Sequence, residues 1–165
     1  FIDYARYDTE EVTQETDLNA IIAELVQARH LDDKHHIELK LNAIPPLSLR
    51  RIAMKRVIDN LIENAFKYGS DEIAISSFYN RHEKRVYCKV RDFGRGIPEE
   101  ELSSVFMPFA QGDKARNSSG SGLGLAIIRR IVEAHDGEVS LRNHPQQGLV
   151  AEFYLPYLSE LPQKN

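Results

Sequence analysis

The stretch around residues 50–69 constrains the fold of this chain more than any other part of the sequence. Its apolar residues recur at intervals of three and four, which is the spacing of one buried face of an α-helix. These residues are Met54, Val57, Ile58, Leu61, Ile62 and Ala65. Gly69 can supply the C-terminal stop. The pattern therefore predicts a core-packed helix that starts near Arg50 and ends at Tyr68.

A second sector of this helix carries polar side chains that are unusual for a solvated face. Asn60 and Asn64 lie one turn apart, and Lys67 and Tyr68 continue the same sector. Amide oxygens suit a hard cation, an ammonium suits phosphate, and a phenol ring suits a base. The four residues could therefore serve a magnesium nucleotide. By themselves they indicate equally well a hydrogen-bonded structural face.

Composition narrows the class of protein. The chain has 165 residues, of which 42% are hydrophobic and 28% charged, as expected for one soluble globular domain. A net charge of −4 without a basic stripe argues against a nucleic-acid partner. No apolar run has the length of a membrane span. The single cysteine, Cys88, alternates with polar neighbours, which predicts a buried strand residue in a reducing compartment.

A further helix is predicted before residue 50. Asp17 is a suitable N-cap, and apolar residues at helical spacing follow it until a stop between His30 and Asp33. The threonine-rich stretch before Asp17 reads as a polar link. His35 and His36 precede an alternating strand pattern and are predicted to be exposed loop histidines, because no carboxylate or cysteine is spaced to make them metal ligands.

The second half of the chain reads as two β-hairpins with helices between them. Alternation of apolar and polar residues predicts strands at 72–79, 85–91, 139–141 and 150–155, with a brief extension at 47–49 before the first long helix. A short acidic helix is expected from Pro98, and an apolar helix is expected to end at Asp136.

Two glycine-rich motifs interrupt these elements. Asp92-x-Gly94-x-Gly96 follows a strand, where glycines let backbone approach a ligand and a carboxylate can accept a hydrogen bond; a strand-ending turn is the alternative. Gly120-x-Gly122-x-Gly124 opens a helix, whose unpaired N–H groups form an anion site. The polar segment 110–121 between them is expected to be mobile.

Four motifs in order resemble the catalytic, ATP-binding domain of sensor histidine kinases. They are Asn60-x-x-x-Asn64, Asp92-x-Gly94-x-Gly96, Phe106-x-x-Phe109 and Gly120-x-Gly122-x-Gly124. The resemblance covers residues 17–156. The sequence flanking the motifs, including Phe1-Ile-Asp-Tyr4, is similar to that of the EnvZ osmosensor subgroup in particular.

The resemblance implies a Bergerat ATP-binding fold. In this fold a two-layer α/β sandwich packs one mixed sheet of about five strands on three helices, and ATP lies between the helices and a flexible lid. Residues 1–10 would then be the end of a truncated dimerisation and phosphoacceptor helix pair. Residues 11–158 would form the catalytic ATP-binding domain, and residues 159–165 a C-terminal tail.

The same resemblance implies roles for the motif residues. Asn64 would ligate Mg²⁺, with Asn60 supporting the site and Lys67 contacting phosphate; these three are the implied catalytic residues. Asp92 would accept from the adenine exocyclic amine, and Tyr68 would lie near adenine or ribose. The implied nucleotide contacts are Asn60, Asn64, Lys67, Tyr68, Asp92, Gly94, Gly96, Ile97, Phe109, Lys114, Arg116, Gly120, Ser121, Gly122, Leu123, Gly124 and Leu125.

The implied activity is transfer of the γ-phosphoryl group of ATP to a histidine. Hydrolytic relatives usually carry a Glu where Asn60 stands, and an amide cannot take a proton from water. None of the six histidines has the family's phosphoacceptor context, so the acceptor is expected on the chain's own dimerisation domain. The parent would be a membrane-bound homodimer in a bacterial inner membrane, with this domain in the cytoplasm and an OmpR-like response regulator as partner. A regulatory nucleotide-binding module and a hydrolytic ATPase are the alternatives.

One position departs from the family pattern. At Gln111 the related kinases commonly have an Arg in the lid, and a neutral amide cannot supply that charge to the phosphates. Either Lys114 or Arg116 could substitute, or the lid holds ATP less tightly. The sequence does not decide between these.

Overall fold

The computed structural model of the chain describes residues 11–29, 32–105 and 124–158. Within these ranges the chain forms four helices and seven strands. The helices are α1 (Leu18–Ala28), α2 (Arg51–Tyr68), α3 (Glu99–Leu102) and α4 (Gly124–Ala134). The strands are β1 (Gln14–Thr16), β2 (His36–Leu41), β3 (Leu47–Leu49), β4 (Glu72–Asn80), β5 (Arg85–Asp92), β6 (Glu138–Asn143) and β7 (Leu149–Pro156).

Five of the strands form one mixed sheet in the order β2-β4-β5-β7-β6. Strand β2 is parallel to β4, and the other neighbours are antiparallel. Two of the antiparallel pairs, β4 with β5 and β6 with β7, are the hairpins that the alternating patterns predict. The α/β sandwich with a five-stranded mixed sheet is confirmed.

A small second sheet pairs β1 with β3 in antiparallel register. The interpretation of the stretch before Asp17 as a polar link was therefore wrong at β1. This strand has only three residues, and it forms because β3, more than thirty residues further along the chain, offers it backbone partners. A pairing of that kind leaves no periodic signal in so short a segment.

The core lies between one face of the large sheet and helices α1, α2 and α4. Helix α2 buries the predicted face and also Ala53; the buried residues of the predicted face are Met54, Val57, Ile58, Leu61, Ile62 and Ala65. Alternate residues of β5 point into this core, and Cys88 among them is fully buried, as predicted. Burial raises the pKa of the Cys88 thiol to about 12. No helix in the described ranges is long and apolar enough to cross a bilayer.

Helix α1 begins as predicted and ends earlier. The Asp17 carboxylate accepts from the backbone N–H of Asn19 at 3.0 Å, which confirms the N-cap. The helix ends at Ala28, because Arg29 has an extended backbone. The Arg29 guanidinium reaches α2, where it pairs with Asp59 at 2.8 Å.

The two neighbouring histidines differ from each other. His36 is exposed but is the first residue of β2, so its placement in a loop was wrong. His35 is half-buried and lies edge-on to Phe66, with 4.8 Å between the ring centroids. Its Nδ1 lies 2.6 Å from Asp32 Oδ1, and its Nε2 lies 3.5 Å from Asp71 Oδ1. Its predicted exposure was wrong, because Phe66 and Asp71 come from distant parts of the chain.

The start of α2 is held by residues from outside the helix. Its N-cap residue, Arg50, makes no side-chain cap bond, and the Glu11 carboxylate accepts instead from the N–H groups of Ile52 and Ala53, at 2.7 and 3.0 Å. The backbone N–H of Arg50 donates to Nε2 of His135 at 3.0 Å. This acceptor must be an unprotonated nitrogen, and burial is the main reason that the pKa of His135 lies below its ordinary value.

We expect Glu11→Ala to lower the free energy of unfolding by about 1–2 kcal/mol, since it leaves two N–H groups in the first turn of α2 without their acceptor. Glu11→Gln should cost less, because its amide oxygen can still accept. Urea denaturation measures both values. Glu15→Ala, which changes an exposed residue of β1, is the control. A Glu11→Ala protein as stable as the parent would show that the cap contributes nothing.

Candidate functional site

The end of α2 packs directly against the segment that follows β5. Gly69 caps the helix, and its N–H donates to the carbonyl of Ala65 at 3.0 Å. A Cβ atom on Gly69 would overlap Cγ of Asp92. Only glycine therefore allows the helix end to approach this carboxylate so closely.

Asp92 is a buried carboxylate with one oxygen occupied. It is the last residue of β5, and strand alternation turns its side chain inward, where it is 5% exposed. Its Oδ1 accepts from the backbone N–H groups of Gly94 at 2.9 Å and Leu149 at 3.1 Å. Neither of these N–H groups donates to Oδ2. A buried carboxylate is costly without partners, so Oδ2 is a natural acceptor for a ligand.

Gly94 and Gly96 are needed by the protein's own packing. A Cβ on Gly94 would lie 2.6 Å from the carbonyl oxygen of Gly69. Gly96 has a φ of 82°, and a Cβ there would overlap Oδ1 of Asn143. The expectation that these glycines also make room for a base stays a prediction.

The polar face of α2 meets the start of α4. Asn60 and Asn64 are both half-buried. A Cβ on Gly124, the first residue of α4, would lie 3.8 Å from Nδ2 of Asn64, which is ordinary contact distance. The structure thus brings the first motif and the last glycine of the fourth motif together. Lys67 is exposed, with its Nζ 5.7 Å from the ring centroid of Tyr68.

The donor set constrains any bound cation. The described residues contain no group of three or more His, Cys, Asp and Glu side chains that could hold a metal. A cation here would take most of its ligands from phosphates and water, which is how Mg²⁺ is usually held at nucleotide sites. A single amide oxygen from Asn64 fits that role.

A cleft of about 530 Å³ opens between the end of α2, the segment after β5 and the turn between β6 and β7. It is lined by Tyr68, Gly69, Phe93, Gly94, Arg95, Asn143, His144, Gln146, Gln147 and Gly148. Two of the predicted contact residues, Tyr68 and Gly94, thus face the same space. Ile97 is buried, and Leu125 is half-buried against the core.

Several predictions fall outside the described residues. The predicted contacts affected are Phe109, Lys114, Arg116, Gly120, Ser121, Gly122 and Leu123. The same holds for the mobile lid, for the departure at Gln111, for the segment 1–10 and for the tail 159–165.

The turn between β6 and β7 was missed as part of the site. Leu149 is the first residue of β7, and the turn before it supplies Gln147, whose side chain donates to the carbonyl of Phe93 at 2.7 Å. Gly148 has a φ of 89°, and a Cβ there would overlap the carbonyl oxygen of Asp92. The only sequence signal for this role was a glycine in a hairpin turn, which does not say what the turn contacts.

Comparison with known proteins identifies the family. The model described as histidine kinase-, DNA gyrase B-, and HSP90-like ATPase matches residues 50–159. Alginate biosynthesis sensor protein KinB of Pseudomonas aeruginosa is 38% identical over 120 residues, which are 72% of this chain and 20% of KinB. The chain spans 18–37% of the length of KinB and five other curated relatives.

Solved structures agree with this assignment. The histidine kinase domain of the E. coli osmosensor EnvZ has a TM-score of 0.70 and 34% identity, covering 95% of this chain and 96% of that one. A nucleotide-free catalytic domain of histidine kinase ThkA has a TM-score of 0.73 and 27% identity, covering 87% of this chain and 95% of that one. The chain therefore belongs to the histidine kinase-, DNA gyrase B- and HSP90-like ATPase family, as the ATP-binding catalytic domain of a sensor histidine kinase.

Proposed function

We propose that this domain binds Mg-ATP beside the end of α2 and transfers the γ-phosphoryl group to a histidine on a dimerisation domain. The observation that carries the proposal is the position of Asp92. Its buried carboxylate has Oδ1 occupied by two backbone N–H groups and lies against Gly69, immediately after the helix that bears Asn60, Asn64, Lys67 and Tyr68.

In this proposal Oδ2 of Asp92 accepts from the exocyclic amine of adenine. Guanine has a carbonyl at the corresponding position and would leave the buried carboxylate facing another acceptor, so adenine is favoured. Tyr68 lies near the adenine or the ribose, and Ile97 and Leu125 supply apolar contact. Gly94 and Gly96 then allow the base to approach the backbone.

The phosphates would lie towards Asn64 and the start of α4. The Asn64 amide oxygen would hold Mg²⁺, with Asn60 supporting it, and Mg²⁺ would neutralise phosphate charge and orient the terminal group. Lys67 contributes positive charge to the phosphates. The N-terminus of α4, an eleven-residue helix that begins at Gly124 beside Asn64, directs backbone N–H groups and the positive end of its dipole towards them.

Transfer is favoured over hydrolysis by the residue at position 60. Phosphoryl transfer depends mainly on positioning and charge neutralisation. The neutral amide of Asn60 cannot remove a proton from an attacking water molecule. The proposed nucleophile is an imidazole nitrogen, which attacks the γ-phosphorus while the bond from that phosphorus to the bridging oxygen breaks and ADP leaves.

None of the five described histidines lies in a helix, which is the context that the resemblance implies for the acceptor. His135 is buried, and His35 is held beside Asp32 and Asp71. His82 and His144 lie in the turns of the two hairpins. We therefore place the acceptor histidine on the parent's dimerisation domain.

The wider assignment follows the likeness to the EnvZ kinase domain. We propose that the parent is a membrane-bound homodimer of the bacterial inner membrane, with this domain on the cytoplasmic side. An OmpR-like response regulator is the proposed partner that receives the phosphoryl group.

Asp92→Asn should weaken the binding of both ATP and ADP by roughly 2–4 kcal/mol. Because two backbone N–H groups converge on Oδ1, the new amide must keep its oxygen there and point its NH₂ at the adenine amine, so that donor faces donor. Calorimetric titration measures the loss. Asp59→Asn, on the side of α2 that pairs with Arg29, is the control. Unchanged affinity in Asp92→Asn would remove this carboxylate from the site.

Asn64→Ala should make ATP affinity nearly independent of Mg²⁺ and abolish phosphoryl transfer, because it removes the proposed metal ligand and leaves the base pocket intact. Titrations with ATP in Mg²⁺ and in EDTA measure the dependence. Glu63→Ala changes the neighbouring, exposed residue of α2 and should keep the Mg²⁺ dependence of ATP affinity. Full Mg²⁺ dependence together with full transfer in Asn64→Ala would refute the assignment.

The isolated chain should bind ATP without labelling itself when supplied with γ-labelled nucleotide. A separately produced dimerisation domain, added to the mixture, should acquire acid-labile label slowly, since the two parts lack the effective concentration of a covalent link. Gel autoradiography after acid and base treatment measures the label. Label on this chain alone, or release of inorganic phosphate in place of transfer, would contradict the proposal.

A further inference from the structure

The side chain of Asn143, at the end of β6, pairs with the backbone of Ile97. Its Oδ1 accepts from the N–H of Ile97 at 2.9 Å, and its Nδ2 donates to the carbonyl of the same residue at 2.7 Å. The Nδ2 group also donates to Glu99 Oε2 at 3.2 Å. Because the N–H of Ile97 can only donate and its carbonyl can only accept, the amide has one possible orientation. Asn143 thus gives Ile97 both hydrogen bonds that a neighbouring strand would supply.

This pair of bonds fixes the far end of the loop that starts at Asp92. Two hydrogen bonds hold the near end. The N–H of Leu149 donates to Asp92 Oδ1, and the side chain of Gln147 donates to the Phe93 carbonyl. Both ends are therefore tied to the β6–β7 hairpin. Between them the loop makes a turn at Gly96, where a side chain would overlap Oδ1 of Asn143.

A loop held at both ends keeps the Asp92 carboxylate in one orientation. A fixed acceptor discriminates between bases, because it cannot turn away from the carbonyl that guanine presents. If the end at Ile97 were released, the segment 93–97 could move and Asp92 could relax. The carboxylate would then bind adenine less well and would also reject guanine less strongly.

We propose that Asn143 is a positioning residue that makes the nucleotide site selective for adenine over guanine. The inference rests on the proposed function, since it takes Asp92 as the group that contacts the base. In this proposal Asn143, which also lines the cleft, acts on base selection through its two bonds to Ile97. A purely structural role would lower stability and weaken all nucleotides together, whereas a positioning role changes the ratio between bases.

The test compares the full 165-residue chain with Asn143→Leu, whose side chain is of similar size, uncharged and unable to form either bond. Competition against a fluorescent ATP analogue ranks ATP, ADP and GTP, including weak binders. We expect Asn143→Leu to weaken ATP and ADP by about tenfold, the scale of one lost buried hydrogen bond. The affinity for GTP should change by less than about threefold. The ratio of ATP affinity to GTP affinity should therefore fall several-fold.

Two further variants complete the design. Asn42→Leu removes a comparable amide bond, from Nδ2 to the carbonyl of Ser77, at a distant part of the sheet, and it should leave the preference unchanged. Asn143→Asp keeps the acceptor for the Ile97 N–H but places an acceptor against the Ile97 carbonyl. It should also lower the preference, and it replaces Asn143→Leu if that variant does not fold.

Equal loss of ATP and GTP affinity in the Asn143 variants would overturn the inference and leave Asn143 as a structural residue. Such an equal loss would not affect the proposed function, provided that the unaltered chain binds ATP more tightly than GTP and that Asp92→Asn weakens ATP binding as predicted. If the unaltered chain shows no preference for ATP, both proposals are wrong. Urea denaturation of each variant, measured in parallel, separates binding loss from unfolding.

Discussion

The buried carboxylate of Asp92 is the constraint on which the rest of the site depends. A carboxyl group at 5% exposure needs hydrogen-bond partners, and the chain provides two backbone N–H groups on one oxygen. The surrounding backbone must come very close to provide them. Gly69 and Gly148 lie where a side chain would overlap atoms of Asp92. The close packing around one buried side chain at the end of a strand therefore requires glycine at a helix end and at a hairpin turn.

Helix α2 connects this site to the beginning of the domain. Its last turn leads into Gly69 beside Asp92. Its first turn is capped by Glu11, from before β1, and the N–H of its N-cap residue, Arg50, donates to His135, from after α4. The helix buries one face in the core between these ends. Because helices are stiff, the polar residues Asn60 and Asn64 are positioned by contacts at both ends and along the buried face.

The local pattern of apolar and turn residues was sufficient to predict most of the helices and strands. Helix α2, the Asp17 cap and both hairpins follow from spacing and turn residues within windows of ten to twenty residues. The pattern failed where the partner is distant in sequence. Strand β1 needs β3, the burial of His35 needs Phe66, and the cap on α2 comes from Glu11. In each case a side chain or strand of ordinary type gains its role from a neighbour that periodicity cannot reveal.

The sequence by itself determined most of the elements and the family, and it indicated the candidate residues, because helix periodicity and four ordered motifs both depend on local residue types. Only the tertiary structure decided how these residues meet. It placed Gly124 beside Asn64 and turned Asp92 inward against Gly69. It also showed that Asn143 holds the loop at Ile97. The physical reason is that hydrogen bonds of a buried loop are satisfied by whatever donors and acceptors packing brings within about 3 Å, and packing is a property of the whole chain.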